Sequence, residues 1–363
     1  MGCLQEKVKS YVDGVRTING EASSQAQIYI DGLVKPPGSL GRLESIAVKI
    51  AGITGKTKNT LAKKCIIVFC SDNGVVEEGV ASAPKSVTLR QSLNCTKGIT
   101  GVNVLARQAK ADVLVVDIGI DADIEDPQLL NRKIRKSTSN IAQGAAMSYE
   151  EACKAILAGV EMVELAIDKG YEVIGTGEMG IGNTTTSSAI FTAYSGLPTS
   201  RTVGRGAGAL QETYEKKKKI VSQAIEINKP DLRDPIDVLA KLGGFDIAGM
   251  AGVYIGAAYH RIPVVMDGFI SAAAALIALK LNAKVKDYII ESHASAEPGF
   301  LELMKEMKLQ PMFDMGMRLG EGSGCPLAFV AIDMACAMVG EMATFAEAQI
   351  DEKYLAQLDK FEF

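Results

Sequence analysis

Five short runs of this 363-residue chain are apolar on both faces: 65–70, 112–118, 171–175, 263–266 and 287–291. Each is separated from the next by a stretch of helical period. A strand without polar alternation has no face to give to water and must lie between two layers. Alternation with helices then demands parallel pairing through crossover connections. The expected fold is therefore α/β, a Rossmann-like parallel sheet flanked by helices. Helical patterning over residues 3–30, at about Leu43 to Ile53 and from Cys325 to Leu358 adds a smaller helical domain built from both termini. The expected division is 1–60 with about 330–363 for that domain and 61–329 for the large one. Methionines 334, 338 and 342 belong to core or to a dimer interface.

The residues that follow these strands carry the functional signal. The first strand runs into Ser71-Asp72-Asn73-Gly74, and the second carries Asp117 and Gly119. The third enters a glycine-dense turn with Glu178, the fourth Asp267-Gly268, and the fifth Ser292-His293-Ala294-Ser295. In a parallel sheet all five ends lie along one edge, where open α/β proteins bind ligands. The stretch Gly175-Thr-Gly-Glu-Met-Gly180-Ile-Gly182, followed by a helix-compatible run from Thr184, offers close backbone approach and a positive helix terminus, which suit a phosphate. It also satisfies the dinucleotide pattern G-x-G-x-x-G. That reading requires an acid about 20 residues on to hold a ribose, and Ser195 to Ser200 supply none. Glu178 would repel a phosphate placed beside it, so it needs another task.

Two further glycine-rich segments carry charge. Val203-Gly204-Arg205-Gly206 presents an arginine able to grip phosphate or carboxylate. Leu319-Gly320-Glu321-Gly322 sets a glutamate among glycines; a poorly solvated carboxylate is a usable general base near neutral pH. A net charge of −4 argues against a nucleic-acid surface, and the run Lys216–Lys219 reads as one solvated helix face. Seven cysteines with no CxxC pair read as reduced thiols, with Cys65 and Cys70 buried in a strand. Only His260 and His293 are available to a metal, which excludes a histidine-rich site. No apolar run is long enough to span a membrane. The first residues fit neither a myristoylation signal nor a secretory leader. The expectation is a cytoplasmic protein.

Seven segments occur in order: Lys35-Pro-Pro-Gly-Ser-Leu-Gly-Arg-Leu-Glu44, Gly175–Thr185, Val203-Gly-Arg-Gly206, Gly243-Gly-Phe-Asp-Ile-Ala248, Pro263-Val-Val-Met-Asp-Gly-Phe269, Ser292-His-Ala-Ser-Ala-Glu-Pro-Gly299 and Arg318-Leu-Gly-Glu-Gly322. Together they resemble the nicotinate-nucleotide–dimethylbenzimidazole phosphoribosyltransferase family of cobamide lower-ligand biosynthesis. The resemblance implies transfer of phosphoribose from nicotinate mononucleotide to an aromatic base, with nicotinate released and no cofactor or metal. It implies Glu321 as the base that deprotonates the acceptor. Glu178, Gly180, Gly182, Gly204, Arg205, Gly206, Lys217, Ser295 and Gly320 would surround the nucleotide, with Glu178 facing the ribose or the cationic ring. Ser82, Ala83, Arg90, Gln91 and Leu319 would line the base pocket. A dimer of like or unlike chains is implied as well.

The sequence departs from the family pattern mainly around that base pocket. Asn73 stands for a histidine, Ala83 for an aromatic, Arg90-Gln91 for Gln-Met, Ala207 for a threonine and Phe300 for a histidine. Loss of an aromatic wall removes a stacking surface, and an inward Arg90 would add a fixed charge. These changes point to a specialised acceptor, such as a phenol, whose hydroxyl titrates near 10 like tyrosine's. The alternative they leave open is a weakly active or inactive subunit that supports a paralogous partner.

Overall fold

The computed structural model describes residues 2–206 and 208–351. Six strands form one parallel sheet: β1 (Lys64–Ser71), β2 (Ala111–Gly119), β3 (Leu129–Asn131), β4 (Val173–Met179), β5 (Val264–Met266) and β6 (Ile289–Glu291). Their order is β3-β2-β1-β4-β5-β6, so the chain builds outward from β1 on one side, then returns to the centre at β4. The direction of building reverses between β1 and β4. Loops leaving these two strands diverge to opposite sides and open a crevice beyond their carboxyl ends. Register places Phe69 opposite Glu178 and Cys70 opposite Met179, bringing the ends of the two strands side by side.

All eight residues of β1 are buried, and they alternate between two cores. Cys65, Ile67 and Phe69 join the core formed with helices Tyr149–Asp168, Phe245–His260 and Phe269–Leu281. Ile66, Val68 and Cys70 face Arg42–Thr54, Gly101–Gln108 and Cys325–Glu341. Helix Tyr149–Asp168 opens with a reciprocal cap, Ser148 Oγ accepting from the Glu151 N–H and Glu151 Oε2 from the Ser148 N–H. It then packs on Phe245–His260 so closely that a Cβ added at Gly252 would lie 2.0 Å from the Ile156 carbonyl oxygen. Backbone cannot yield there, so only glycine serves. That contact fixes the helix whose amino end carries Asp246 into the site.

Several boundaries differ from the sequence reading. The helical pattern of residues 3–30 is two helices, Gly2–Gly14 and Gly20–Asp31, the second capped by Asn19 Oδ1 accepting from the Ala22 N–H. Gly2–Gly14 packs on Tyr149–Asp168 and Phe245–His260, whereas Gly20–Asp31 packs on Arg42–Thr54, which in turn meets Cys325–Glu341. The last helix ends at Glu341, not Leu358; Thr344 already pairs with Leu33 as an isolated bridge, and residues 352–358 lie outside those described. Met338 is buried while Met334 is exposed. The third predicted strand starts later and runs to Met179, because Gly175 and Gly177 pack edge-on in the sheet instead of turning. A Cβ at Gly177 would meet the Glu321 carbonyl oxygen at 2.6 Å. The fifth starts at Ile289, after a 3-10 turn over Ala283–Tyr288. The edge strand β3 is only three residues long and gives no periodic signal.

Candidate active site

A cleft opens over the carboxyl ends of β1, β4, β5 and β6. Its walls are the 80–83 loop, the Gly180–Gly182 turn, the 205–206 turn and the 318–320 segment. The turn is tied to helix Ser86–Thr96 by the Ile181 N–H, which donates to Thr88 Oγ1 at 3.1 Å. Helix Asn183–Ser195 starts directly beyond it, with Gly182 at φ +94° as its cap. The Asn183 and Thr185 N–H groups of its first turn donate to the Gly180 and Gly182 carbonyls at 3.1 and 2.9 Å, and Gly182, Asn183 and Thr184 bring the positive end of the helix dipole to the cleft wall.

Glu178 stands at the end of β4, not in a loop, and is buried beneath the cleft floor. Its Oε2 accepts from Asn183 Nδ2, which also donates to Asp246 Oδ2 at 2.9 Å. One neutral amide thus bridges two carboxyl groups. Burial, followed by repulsion from Asp246, raises the Glu178 pKa to about 8. Burial likewise raises Asp246 to about 6. Burial thus favours the protonated form of Glu178 near neutral pH.

Glu178 Oε1 accepts the Glu321 backbone N–H at 3.3 Å, which links the two glutamates directly. Gly320 between them has φ +84°, and a Cβ there would stand 2.3 Å from Glu178 Oε1. Glu321 itself lies at φ +63°, a conformation that L residues seldom adopt. Asp267, at the end of β5, holds the same loop by accepting the Gly322 and Gly324 N–H groups at 3.1 and 2.7 Å. Burial pushes the Asp267 carboxyl up, and His293 at 3.8 Å opposes that rise. Glu321 Oε1 accepts from Gln91 Nε2 at 2.7 Å, and Oε2 from the Val102 N–H at 3.2 Å. The second donor belongs to the first turn of helix Gly101–Gln108. Glu321 sits just behind the cleft wall, with Leu319 in front of it and 59% exposed.

At the far end, Lys217 enters from helix Gln211–Asn228. The four-lysine run is not a uniform solvated face: Lys217 is 1% exposed, since the helix turns this one position inward over the glycine turns. Its ammonium donates to Thr184 Oγ1 at 2.7 Å. Burial lowers its pKa to about 8, with Glu297 acting in the opposite sense. Arg205 is exposed at the rim. Its guanidinium donates to the Ala209 carbonyl at 2.8 Å and to Gln211 Oε1, and stacks over Tyr214. Its donors serve its own loop.

Of the residues expected from sequence, the cleft brings together Ser82, Ala83, Glu178, Gly180, Gly182, Arg205, Gly206, Lys217, Ser295, Leu319 and Gly320. Gly204 lies directly behind, packed against the Glu297 carboxyl group. Gln91 does not face the open cleft but holds Glu321. Arg90 is the exception: it points to solvent and is no part of the wall, because the helix turns Thr88 and Ser92 inward instead. Phe300 is buried in the core, away from the cleft, and Ala207 falls outside the described residues. Asn183, Thr184, Asp246, Asp267 and Glu297 were not singled out as site residues. Asp246 and Glu297 stand within the motifs quoted above, and Asp267 ends a predicted strand, but nothing in the sequence shows which way each points.

A family model described as phosphoribosyltransferase matches residues 15–350. Among curated relatives, nicotinate-nucleotide–dimethylbenzimidazole phosphoribosyltransferase of Clostridium acetobutylicum is 51% identical over 95% of this chain and 98% of its own length. The protein of the same name from Clostridium perfringens is also 51% identical, over 94% of this chain and 95% of its own length. The crystal structure of the Thermus thermophilus protein of that name superposes with a TM-score of 0.87 at 37% identity, covering 92% of this chain and 99% of that one. The fold, the order of its motifs and these similarities agree, and the chain belongs to the nicotinate-nucleotide–dimethylbenzimidazole phosphoribosyltransferase family.

Proposed function

We propose that this chain transfers the phosphoribosyl group of nicotinate mononucleotide to an aromatic base, giving an α-ribotide for the lower ligand of a cobamide and free nicotinate. The observation that carries the reading is the direct link between Glu178 and Glu321 at one end of a cleft whose other end holds Lys217 and a helix amino terminus. The phosphate would rest on that terminus, with Gly180, Gly182, Gly204, Gly206, Ser295 and Lys217 around it and Arg205 closing from the rim. The ribose would then lie over Glu178 and Gly320.

The C1–N bond to nicotinate breaks as the bond to the acceptor forms, and the acceptor proton passes to Glu321. The pyridinium leaving group departs neutral at its ring nitrogen, so no acid is required. Positive charge grows at the anomeric carbon. A cationic ring entering beside Glu178 favours its carboxylate, drawing its raised pKa back down. The anion so formed stabilises the transition state in a dry site. Gln91 and the Val102 N–H hold the Glu321 carboxyl group in position for that task. Base catalysis of this kind contributes roughly 10²–10⁴-fold, and alignment of the two reactants supplies much of the rest.

Ser82, Ala83 and Leu319 would form the acceptor wall; Ala83 leaves volume for a bulky base or space that a phenol fills incompletely. Seven unpaired thiols support a cytoplasmic setting, and no helix among the described residues is long and apolar enough to cross a membrane. The test is nicotinate release by the purified chain with dimethylbenzimidazole, adenine, phenol and p-cresol supplied separately. Turnover with one of them is expected. Silence with all four, from protein that still binds the nucleotide, would overturn the reading in favour of a subunit dependent on a partner.

A further inference from the structure

Glu297 places a carboxyl group in the part of the cleft that otherwise suits anions. It lines the cleft together with Lys217, Gly206 and Arg318, and is 8% exposed. Its Oε2 is buried and has no hydrogen-bond partner among the described residues. We infer that Glu297 balances the charge of Lys217 across the cleft, and that it takes up a proton from solvent when a nucleotide phosphate enters. The inference rests on the nucleotide reading above and adds a residue and a linkage to it.

The carboxyl group has little freedom to retreat. A Cβ at Gly204 would fall 1.6 Å from Glu297 Oε2, so the side chain already fills the space against that backbone. The main chain on either side is pinned, by the Ala296 N–H to the Met317 carbonyl at 3.0 Å and by the Phe300 N–H to the Glu297 carbonyl at 3.0 Å. An incoming phosphate places up to two negative charges beside a third, with Lys217 the buried cation they share. Like charges that cannot separate are relieved by protonating one of them. The balance before binding is already poised: burial pushes the Glu297 pKa up, while Lys217, the Gly206 N–H and Arg318 pull it down. Arg205 at the rim adds positive charge, and Glu178, Asp267 and His293 face the same cleft from β4, β5 and the segment after β6. Phosphate binding cancels the influence of the cations and leaves burial to prevail.

The linkage is measured by calorimetric titration of nicotinate mononucleotide into the full chain at pH 7, in non-phosphate buffers of differing ionisation heat. Uptake approaching about one proton per nucleotide is expected, with affinity weakening by up to about tenfold per pH unit. The Glu297→Gln variant should lose most of that uptake and its share of the pH dependence. The nucleoside lacking phosphate, used on the unaltered chain, should bind without uptake; this control needs no variant to fold. Nucleotide binding without uptake, or equal uptake in Glu297→Gln, would overturn the inference and leave the nucleotide site standing. Absence of nucleotide binding altogether would overturn both.

Discussion

Glu178 costs the fold stability at the pH where the cleft should work, and replacing it by glutamine exposes that cost. Its pKa rises from 4.5, the ordinary carboxyl value, to about 8 on folding. The folded state therefore holds the proton more tightly than the unfolded chain. Stability from this group is complete below pH 4.5 and is lost progressively as pH rises towards 8. At about 1.4 kcal/mol per tenfold difference in proton affinity, the full span amounts to at most about 5 kcal/mol. Asp246 titrates in the same network through Asn183, so part of that sum is shared, and roughly 2–4 kcal/mol is a fair expectation for Glu178 alone. Glutamine keeps the shape and one acceptor but loses one of the two bonds made to Asn183 and the Glu321 N–H, returning about 1 kcal/mol. Urea unfolding of both proteins at pH 5, 7 and 8.5 is the assay. Glu178→Gln should be no more stable at pH 5, and its relative stability should climb by roughly 2–4 kcal/mol by pH 8.5. Nicotinate release should fall together with that gain. A stability difference that stays flat across the window would refute the buried-proton argument.

Glu321→Gln should lower kcat by about 10²–10⁴-fold with little change in the nucleotide KM, read from initial rates of nicotinate release. Gly320→Ala should destabilise by roughly 2–3 kcal/mol in urea, since a positive φ costs about 1–2 kcal/mol and the new Cβ drives Glu178 from the Glu321 N–H. Arg90→Ala should leave kcat and acceptor preference within about twofold, because the side chain faces water; a larger change in acceptor ranking would return Arg90 to the pocket.

Apolar runs, glycine turns and motif order carried the sheet, the edge that binds and most of the residues gathered there. They are local signals: a strand buried on both faces cannot have polar alternation, and a backbone at positive φ or in close contact must be glycine. Glu178 and Glu321 were also legible through the motifs around them, and Lys217 through the family resemblance. What the sequence left open was direction and partnership. Arg90 and Gln91 are neighbours on one helix, yet one faces solvent and the other holds Glu321, a distinction set by how that helix rests on β1 and β4. Lys217 stands in a run of four identical residues, and only the packing of its helix over the glycine turns makes it the buried one. Glu178 joins Asp246, far along the chain, because β4 and helix Phe245–His260 meet beneath the cleft. Charge and burial of that kind depend on neighbours distant in sequence, so the chain's pattern chose the scaffold, while tertiary contacts alone set the protonation of the groups it carries.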